Sequence, residues 1–357
     1  MKEKKRILVK VGTNVLTRKD GRLDYNQISD LVLQICEIRQ DAEVILVSSG
    51  ACGAGQEFND FAKEKDPVVK KQMLAAIGQG RLFQVYSDFF KEQGVLPAQA
   101  LITRYDFKHP AAHQNILSTL EGLLRNDILP IINENDVVSF EETTFSDNDQ
   151  LAALTAAMLQ VDLLVVLSVI QGFYTGDPGQ DPKAVLIEEV KEISPELVEY
   201  CQDSLSSGGT GGMLSKLKAA DLAMRQGIRT IVTSGKEPGN LLKAVRGEKI
   251  GTLFLPQDKR GPGPKGGWML HHAETMGRLV VDAGAEKALR QNKSLLAVGV
   301  ASVEGDFEKK AVLMIQNTAG IRIGVGLAQA DSKTTKELVS TKPQGAVVVH
   351  KNHLYLL

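Results

Sequence analysis

Apolar positions along the chain follow two grammars, and the change falls near residue 256. Before it, short unbroken apolar runs alternate with segments whose apolar residues recur every three or four positions. Ile7-Leu8-Val9 is one such run and leads into Lys10-Val11-Gly12-Thr13-Asn14. Val44-Ile45-Leu46-Val47 is another and ends at Ser48-Ser49-Gly50-Ala51. Leu129-Pro130-Ile131-Ile132-Asn133, residues 162–168 and residues 228–233 continue the series. Between them, Ile28, Leu31, Val32, Ile35 and Ile38 mark 26–39 as an amphipathic helix. Residues 68–93 read as helical with a glycine-containing break near Gly78 and Gly80. Residues 148–158 and 217–226 read as further helices. Continuous apolar strands alternating with helices predict a parallel sheet covered on both faces. In such sheets ligands bind at the carboxyl ends of the strands. The polar motifs sit there: Lys10, Ser48 to Gly50, Asn133 to Asp136, and Ser168.

Beyond 256 the pattern is different. Gly261-Pro262-Gly263-Pro264-Lys265-Gly266-Gly267 has linker composition. Short apolar stretches follow at 279–281, 296–298, 311–315, 321–325 and 346–349, separated by turn residues such as Gly305-Asp306. Helices are expected at 283–290 and 333–339. The reading is a catalytic body over 1–256, a linker over 257–270, and a small, mainly β module over 271–357.

Composition narrows the function. The 357 residues allow two domains with real cores. A net charge of −1 gives no bulk electrostatic case for nucleic acid or an anionic membrane. From His271 onward 11 basic residues face 8 acidic ones, a mild excess without interleaved aromatics. Cys36, Cys52 and Cys201 have no metal-ligand spacing and fit free thiols in a reducing compartment. No signal peptide fits the charged start, and the longest apolar stretch, Leu163 to Ile170, is too short to span a bilayer. The expected location is the cytoplasm.

Five clusters carry chemistry. Gly209-Thr210-Gly211-Gly212-Met213-Leu214-Ser215-Lys216 precedes a helix. Glycine lets backbone N–H groups close on an anion, and a helix start adds donors and partial positive charge. The spacing is not that of a Walker A loop. Lys10 lies on an apolar strand, where it needs either a salt bridge or an approaching anion. The Ser48 to Gly55 segment offers hydroxyls and backbone donors for phosphate or carboxylate, or a plain strand-to-helix turn. Asn133-Glu134-Asn135-Asp136 and Ser146-Asp147-Asn148-Asp149 suit an ammonium-bearing substrate, a metal, or helix capping. Gln171-Gly172-Phe173-Tyr174-Thr175 could hold a base and ribose. None of the six histidines falls in a motif. A reaction needing a histidine base is therefore disfavoured. Phosphoryl transfer to a carboxylate needs no base, because the nucleophile is already ionised; two lysines, a glycine cradle and Mg2+ suffice.

In this order the motifs resemble the amino acid kinase family, and the tail resembles a PUA domain. The resemblance covers essentially the whole chain. It implies a three-layer, mostly parallel α/β sandwich with a small, mainly β PUA-like domain. It further implies transfer of phosphate from ATP, with Mg2+, to the side-chain carboxylate of L-glutamate, the first step of proline biosynthesis. Lys10 and Lys216 would neutralise the transferring phosphoryl group and Asp149 would hold them. Ser49, Gly50, Asn133, Asp136, Asp147 and Asn148 would bind glutamate, with Asp136 taking the ammonium. Lys10, Gly12, Ser168, Val169, Thr210, Gly211, Gly212, Met213, Leu214, Ser215 and Lys216 would bind the nucleotide. Where the family typically has Ser or Thr followed by Asp, this chain has Ser168-Val169, and the acid's polar contact is absent. Proline as feedback inhibitor, a homo-oligomer, and a downstream glutamyl phosphate reductase as partner are implied as well. The alternatives are a family member acting on N-acetylglutamate, aspartate or a nucleotide, and RNA binding through the C-terminal module.

Overall fold

The computed structural model describes residues 4–58, 63–138, 148–203, 212–256 and 275–357. The chain divides into two units, Met1–Arg104 with Leu117–Arg260, and Tyr105–Ile116 with Gly261–Leu357. The linker expected at 257–270 lies outside the described residues, as does the expected start of the module at 271.

Up to residue 256 the strands are β1 (Lys5–Val11), β2 (Ala42–Ser48), β3 (Pro97–Ile102), β4 (Leu129–Glu134), β5 (Leu163–Ser168), β6 (Glu189–Val190), β7 (Arg229–Ser234) and β8 (Thr252–Phe254). The helices are α1 (Thr13–Leu16), α2 (Tyr25–Arg39), α3 (Ala51–Gln56), α4 (Pro67–Glu92), α5 (Pro110–Arg125), α6 (Asn148–Leu159), α7 (Pro195–Asp203), α8 (Met213–Arg225) and α9 (Asn240–Arg246). The strands form one eight-stranded sheet in the order β3-β4-β2-β1-β5-β7-β8-β6. Its pairs are parallel apart from β7 with β8.

Side-chain alternation along β1 shows the layering. Successive residues of a strand point to opposite faces. Ile7, Val9 and Val11 join a core with Ile28, Leu31 and Ile35 of α2 and Leu82 and Tyr86 of α4. Lys10 points the other way and meets Asp149 of α6. The sheet is therefore the middle of three layers. Leu8, Val9, Val44 and Val47 are fully buried, each contributing about 1.5–3 kcal/mol. Helix α6 is buried on every side, as expected of a helix that is apolar all round.

Local chemistry sets the helix starts. Asp66 caps α4 by accepting from Val68 N and Val69 N, with Pro67 at the first turn. Asp24 caps α2 through Gln27 N. One expectation needs correcting: α4 does not break at Gly78. It runs unbroken for 26 residues. A Cβ on Gly78 would collide with Ala51 O and Gly55 N of α3, and one on Gly55 would collide with Leu74 O. These glycines let two helices touch at their backbones.

The second unit contains β9 (Gly277–Val281), β10 (Leu295–Leu296), β11 (Val300–Gly305), β12 (Val312–Asn317), β13 (Arg322–Ala328) and β14 (Val347–Leu356), with α10 (Ala283–Arg290) and α11 (Ser332–Thr341). The six strands pair in the order β10-β14-β13-β12-β9-β11. Leu279, Val281, Leu313, Ile315 and Val349 form its core. The strand expected at 296–298 is instead the end of β10 followed by a 3-10 turn, Ala297–Gly299. Strand β11 was not foreseen, because its residues are mostly exposed.

Candidate active site

Strand β1 lies where the sheet order turns back. From it the chain passes to β2 on one side and later fills β5 on the other. The crevice beyond the carboxyl ends at such a reversal is where open α/β sheets bind ligands. Gly12 sits in it, donating its N–H to Leu167 O at 3.2 Å. A Cβ on Gly12 would stand 3.8 Å from Lys10 Nζ, so glycine keeps that side of the ammonium open.

Three charged side chains meet here. Asp149, in the first turn of α6, is fully buried. Its Oδ1 pairs with Lys10 Nζ. Its Oδ2 pairs with Lys216 Nζ at 3.1 Å and accepts weakly from Ser215 Oγ at 3.4 Å. Lys10 and Lys216 are 4% and 6% exposed. Burial pushes the Asp149 carboxyl up, but the two ammonium groups outweigh it and hold the group below 3.8. The three side chains sum to one positive charge. Removed from water, that charge favours an anion in the crevice.

Helix α8 adds its first turn. It begins at Met213 with Gly212 as its cap; Ser215 N and Lys216 N turn back to Gly212 O at 3.1 and 3.4 Å, and the partial positive charge of a helix start favours an anion there. Lys216 therefore stands in the first turn of the helix, one turn earlier than the helix predicted from 217.

A chain of amides lines the other side. Asn133, at the end of β4, donates Nδ2 to Gln79 Oε1 at 2.6 Å. Asn148 donates Nδ2 to Asn133 Oδ1 and to Ser49 Oγ, both at 2.9 Å. Glu134 N–H donates to Asn133 Oδ1 at 2.9 Å and to Asn148 Oδ1 at 3.3 Å. Ser49 N is held by Val11 O at 3.0 Å. Gly50 takes φ +105° at the start of α3, a conformation that favours glycine. Asp136 is half-buried. Burial, then the Asp136 charge, push the Cys52 thiol up to about 11. Cys52 is thus a neutral, packed thiol at physiological pH.

The structure brings Lys10, Asp149, Ser215 and Lys216 into one cluster, and Ser49, Asn133 and Asn148 into a second. Ser168 ends β5, where its carbonyl accepts from Gly235 N at 2.7 Å. Val169 follows it, 49% exposed. Asp147, Thr210 and Gly211 lie outside the described residues. Phe173 does not offer a ring to a base: it is 1% exposed and packs edge-on against Phe254 at 5.2 Å. Two residues were missed, both on α4. Gln79 ends the amide chain, and the buried Tyr86 hydroxyl bonds Ser48 Oγ at 2.9 Å. Neither belongs to a motif.

The residues do not form a metal cage. Among the described residues no group of three His, Cys, Asp or Glu could hold an ion. Asp149 already spends both oxygens on lysines.

A mostly parallel sheet with two buried lysines and a helix start at its reversal point suits an α/β phosphotransferase. Residues 5–234 match the model of the amino acid kinase family and residues 277–344 that of the PUA domain. The chain belongs to the amino acid kinase family. It is similar along its length to glutamate 5-kinase of Dehalococcoides mccartyi (strain CBDB1), 39% identical over 99% of this chain and 98% of the relative. The glutamate 5-kinase of Streptococcus suis (strain 05ZYH33) is 38% identical over 98% of each chain. Carbamate kinase from Giardia lamblia bound to AMP-PNP aligns with a TM-score of 0.53 at 19% identity, covering 72% of this chain and 100% of that one. An isopentenyl phosphate kinase from T. acidophilum gives 0.50 at 20% identity, over 70% and 99%. These two structures share the fold. No helix among the described residues is long and apolar enough to cross a membrane.

Proposed function

We propose that this protein transfers the γ-phosphoryl group of ATP to the side-chain carboxylate of L-glutamate, giving L-glutamyl 5-phosphate for proline biosynthesis. The observation that carries this reading is the convergence of Lys10 and Lys216 on Asp149 at the reversal point of the sheet. The full-length glutamate 5-kinase relatives supply the substrate.

A carboxylate oxygen attacks the γ-phosphorus, the bond to the β-phosphate oxygen breaks, and ADP leaves with that electron pair. No proton has to move. The two ammonium groups offset charge on the phosphoryl group as it passes between donor and acceptor. Asp149 holds them in place and touches neither substrate. The start of α8 and the loop before it wrap the nucleotide phosphates. The loop from Ser49 to Gly50, Asn133, Asn148 and Asp147 hold glutamate, and Asp136 receives its ammonium. That pairing favours glutamate over N-acetylglutamate, whose amide nitrogen carries no charge. Magnesium, in this reading, is carried by nucleotide phosphates and water. Residues 1–256 form the catalytic body and 271–357 a separate module. Proline, a glutamate-like zwitterion, competes at Asp136, and the labile acyl phosphate passes to a reductase. The enzyme works in the cytoplasm as a homo-oligomer.

The test supplies ATP, magnesium and glutamate with hydroxylamine to trap the acyl phosphate. Glutamate-dependent hydroxamate is expected. Folded protein that yields none, or that yields it with N-acetylglutamate or aspartate instead, defeats the assignment.

A further inference from the structure

Gln79 lies outside every motif, on α4, which also carries Arg81, paired with Glu57, and Tyr86, bonded to Ser48. Gln79 Oε1 terminates the amide chain that leads to Ser49. The direction of that chain can be worked out from one donor whose identity is not in question. The Glu134 backbone N–H faces both Asn133 and Asn148. A backbone N–H can only donate, so both side chains must turn their oxygens toward it. Asn133 Oδ1 then also faces Asn148, and only the Asn148 NH2 can meet it. The same NH2 reaches Ser49 Oγ, so Ser49 accepts there and its own hydroxyl proton is directed elsewhere. At the other end, Asn133 must offer its NH2 to Gln79, which can answer only with Oε1.

Each side chain thus has one allowed orientation, and the chain runs as a series of donations. Both hydrogens of the Asn148 amide are used inside it. Asn148 acts on a ligand through Ser49. The Asn133 NH2 is nearly enclosed, with its residue 3% exposed. Without an acceptor at Gln79 that buried donor loses its partner, and the cheapest relief is for the Asn133 amide to turn. Turning it sets nitrogen against the Glu134 N–H and against Asn148, and the order collapses as far as Ser49.

We propose that Gln79 is a positioning residue for the carboxylate substrate. It fixes the polarity of the Asn133–Asn148 relay so that Ser49 presents a hydroxyl proton to an anionic ligand group. This rests on the proposed glutamate site. Because the relay serves binding in the ground state, its loss raises KM and spares kcat.

The experiment is a double-mutant cycle on the full chain with Gln79→Met, Ser49→Ala and the double variant. Gln79→Met keeps the length and removes the oxygen. The expected KM for glutamate rises about tenfold in each single variant, with kcat and the KM for ATP within threefold. The double variant should be no worse than Ser49→Ala alone, because Gln79 acts through Ser49. Additive effects, about a hundredfold in the double variant, would mean that Gln79 acts independently and overturn the relay. Equal losses in the KM for ATP would mark a general packing defect and overturn it too. If Gln79→Met does not fold, as judged by its melt, Gln79→Ala completes the cycle with the same expectations. A wild type without glutamate-dependent hydroxamate removes the proposed function and this inference together; a working wild type with additive losses removes this inference alone.

Discussion

The two ends of the large sheet use the same residue types and treat them in opposite ways. At the carboxyl end, the side chains of Lys10, Asp149 and Lys216 are 5%, 0% and 7% exposed. At the amino end, Arg246 and Glu37 pair at 2.7 Å with side chains 59% and 50% exposed. They line a cavity of about 330 Å3 that Lys5, Asp41, Asp162 and Arg229 also border. Water screens the exposed pair, and its contribution is small. The buried cluster has given up hydration and holds together only while Asp149 stays ionised between the two lysines. The amino end therefore has a hollow bordered by charges that stay in water. Buried, paired charge marks the working end, and a hollow alone does not.

The sharpest way to break this contrast is to neutralise the centre of the cluster. Asp149→Asn leaves two ammonium groups against a neutral amide. Stability in urea should fall by about 3–5 kcal/mol, and turnover should fall with it. The pH dependence follows from the depressed Asp149 pKa, which burial raises and the two lysines lower further. A group whose folded pKa lies below its unfolded value stabilises the fold above the unfolded value, and that stability is lost as pH falls through the folded one. The gap between wild type and variant should hold from neutral pH down to about 3.8 and shrink only below it. A gap that closes between pH 7 and 5 would show that Asp149 is not the ionised partner of both lysines.

Lys216→Ala keeps the Lys10–Asp149 pair and removes one positive charge from the site. Turnover should drop on the order of a hundredfold, as for loss of one transition-state charge partner, while the urea midpoint moves less than in Asp149→Asn. Turnover within threefold of wild type would separate the cluster from the chemistry and leave it a structural ion pair.

How much of this arrangement was legible depended on whether a residue's role was local. Strands β1, β2, β4, β5 and β7 were plain, because strands buried on both faces are unbroken apolar runs. Lys10 and Lys216 stood out for the same reason: a cation beside such a run, or beside a glycine loop, has few structural excuses. Strand β3 was not seen, since Pro97 opens it and Leu101 is 42% exposed at the sheet edge. Phe173 looked available for stacking, yet its partner Phe254 lies 81 residues away in sequence. Gln79 and Tyr86 are ordinary residues on an amphipathic helix, and their partners Asn133 and Ser48 come from different strands. The glycines of α4 misled because helix propensity, read locally, counts Gly78 as a defect. Its missing Cβ is what lets α3 lie with its backbone against α4.

That reading of α4 sharpens the contrast through packing instead of charge. Gly78→Ala places a methyl against Ala51 O and Gly55 N and should cost about 1–3 kcal/mol, with a raised KM for glutamate as α3 is pushed outward. Gly80→Ala, two residues on, meets nothing within 4 Å and should stabilise by about 0.5–1 kcal/mol. Thermal melts of the two variants should move in opposite directions. A shift of the same sign would mean that the helix contact at the working end is looser than the backbones imply.

At the opposite end of the sheet the smallest effect is expected. Arg246→Ala removes one partner of an exposed ion pair and should change stability by less than about 1 kcal/mol, less still in 1 M salt, where screening shortens the reach of surface charge. Turnover should not move, since Arg246 stands at the amino edge while the reacting groups gather at the carboxyl edge. A salt-insensitive loss of several kcal/mol would mean that Arg246 and Glu37 are shielded from water as Lys10 and Asp149 are. Exposure would then no longer tell the two ends apart, and the cavity beside Arg246 would have to be counted as a second place where the fold stores charge for use.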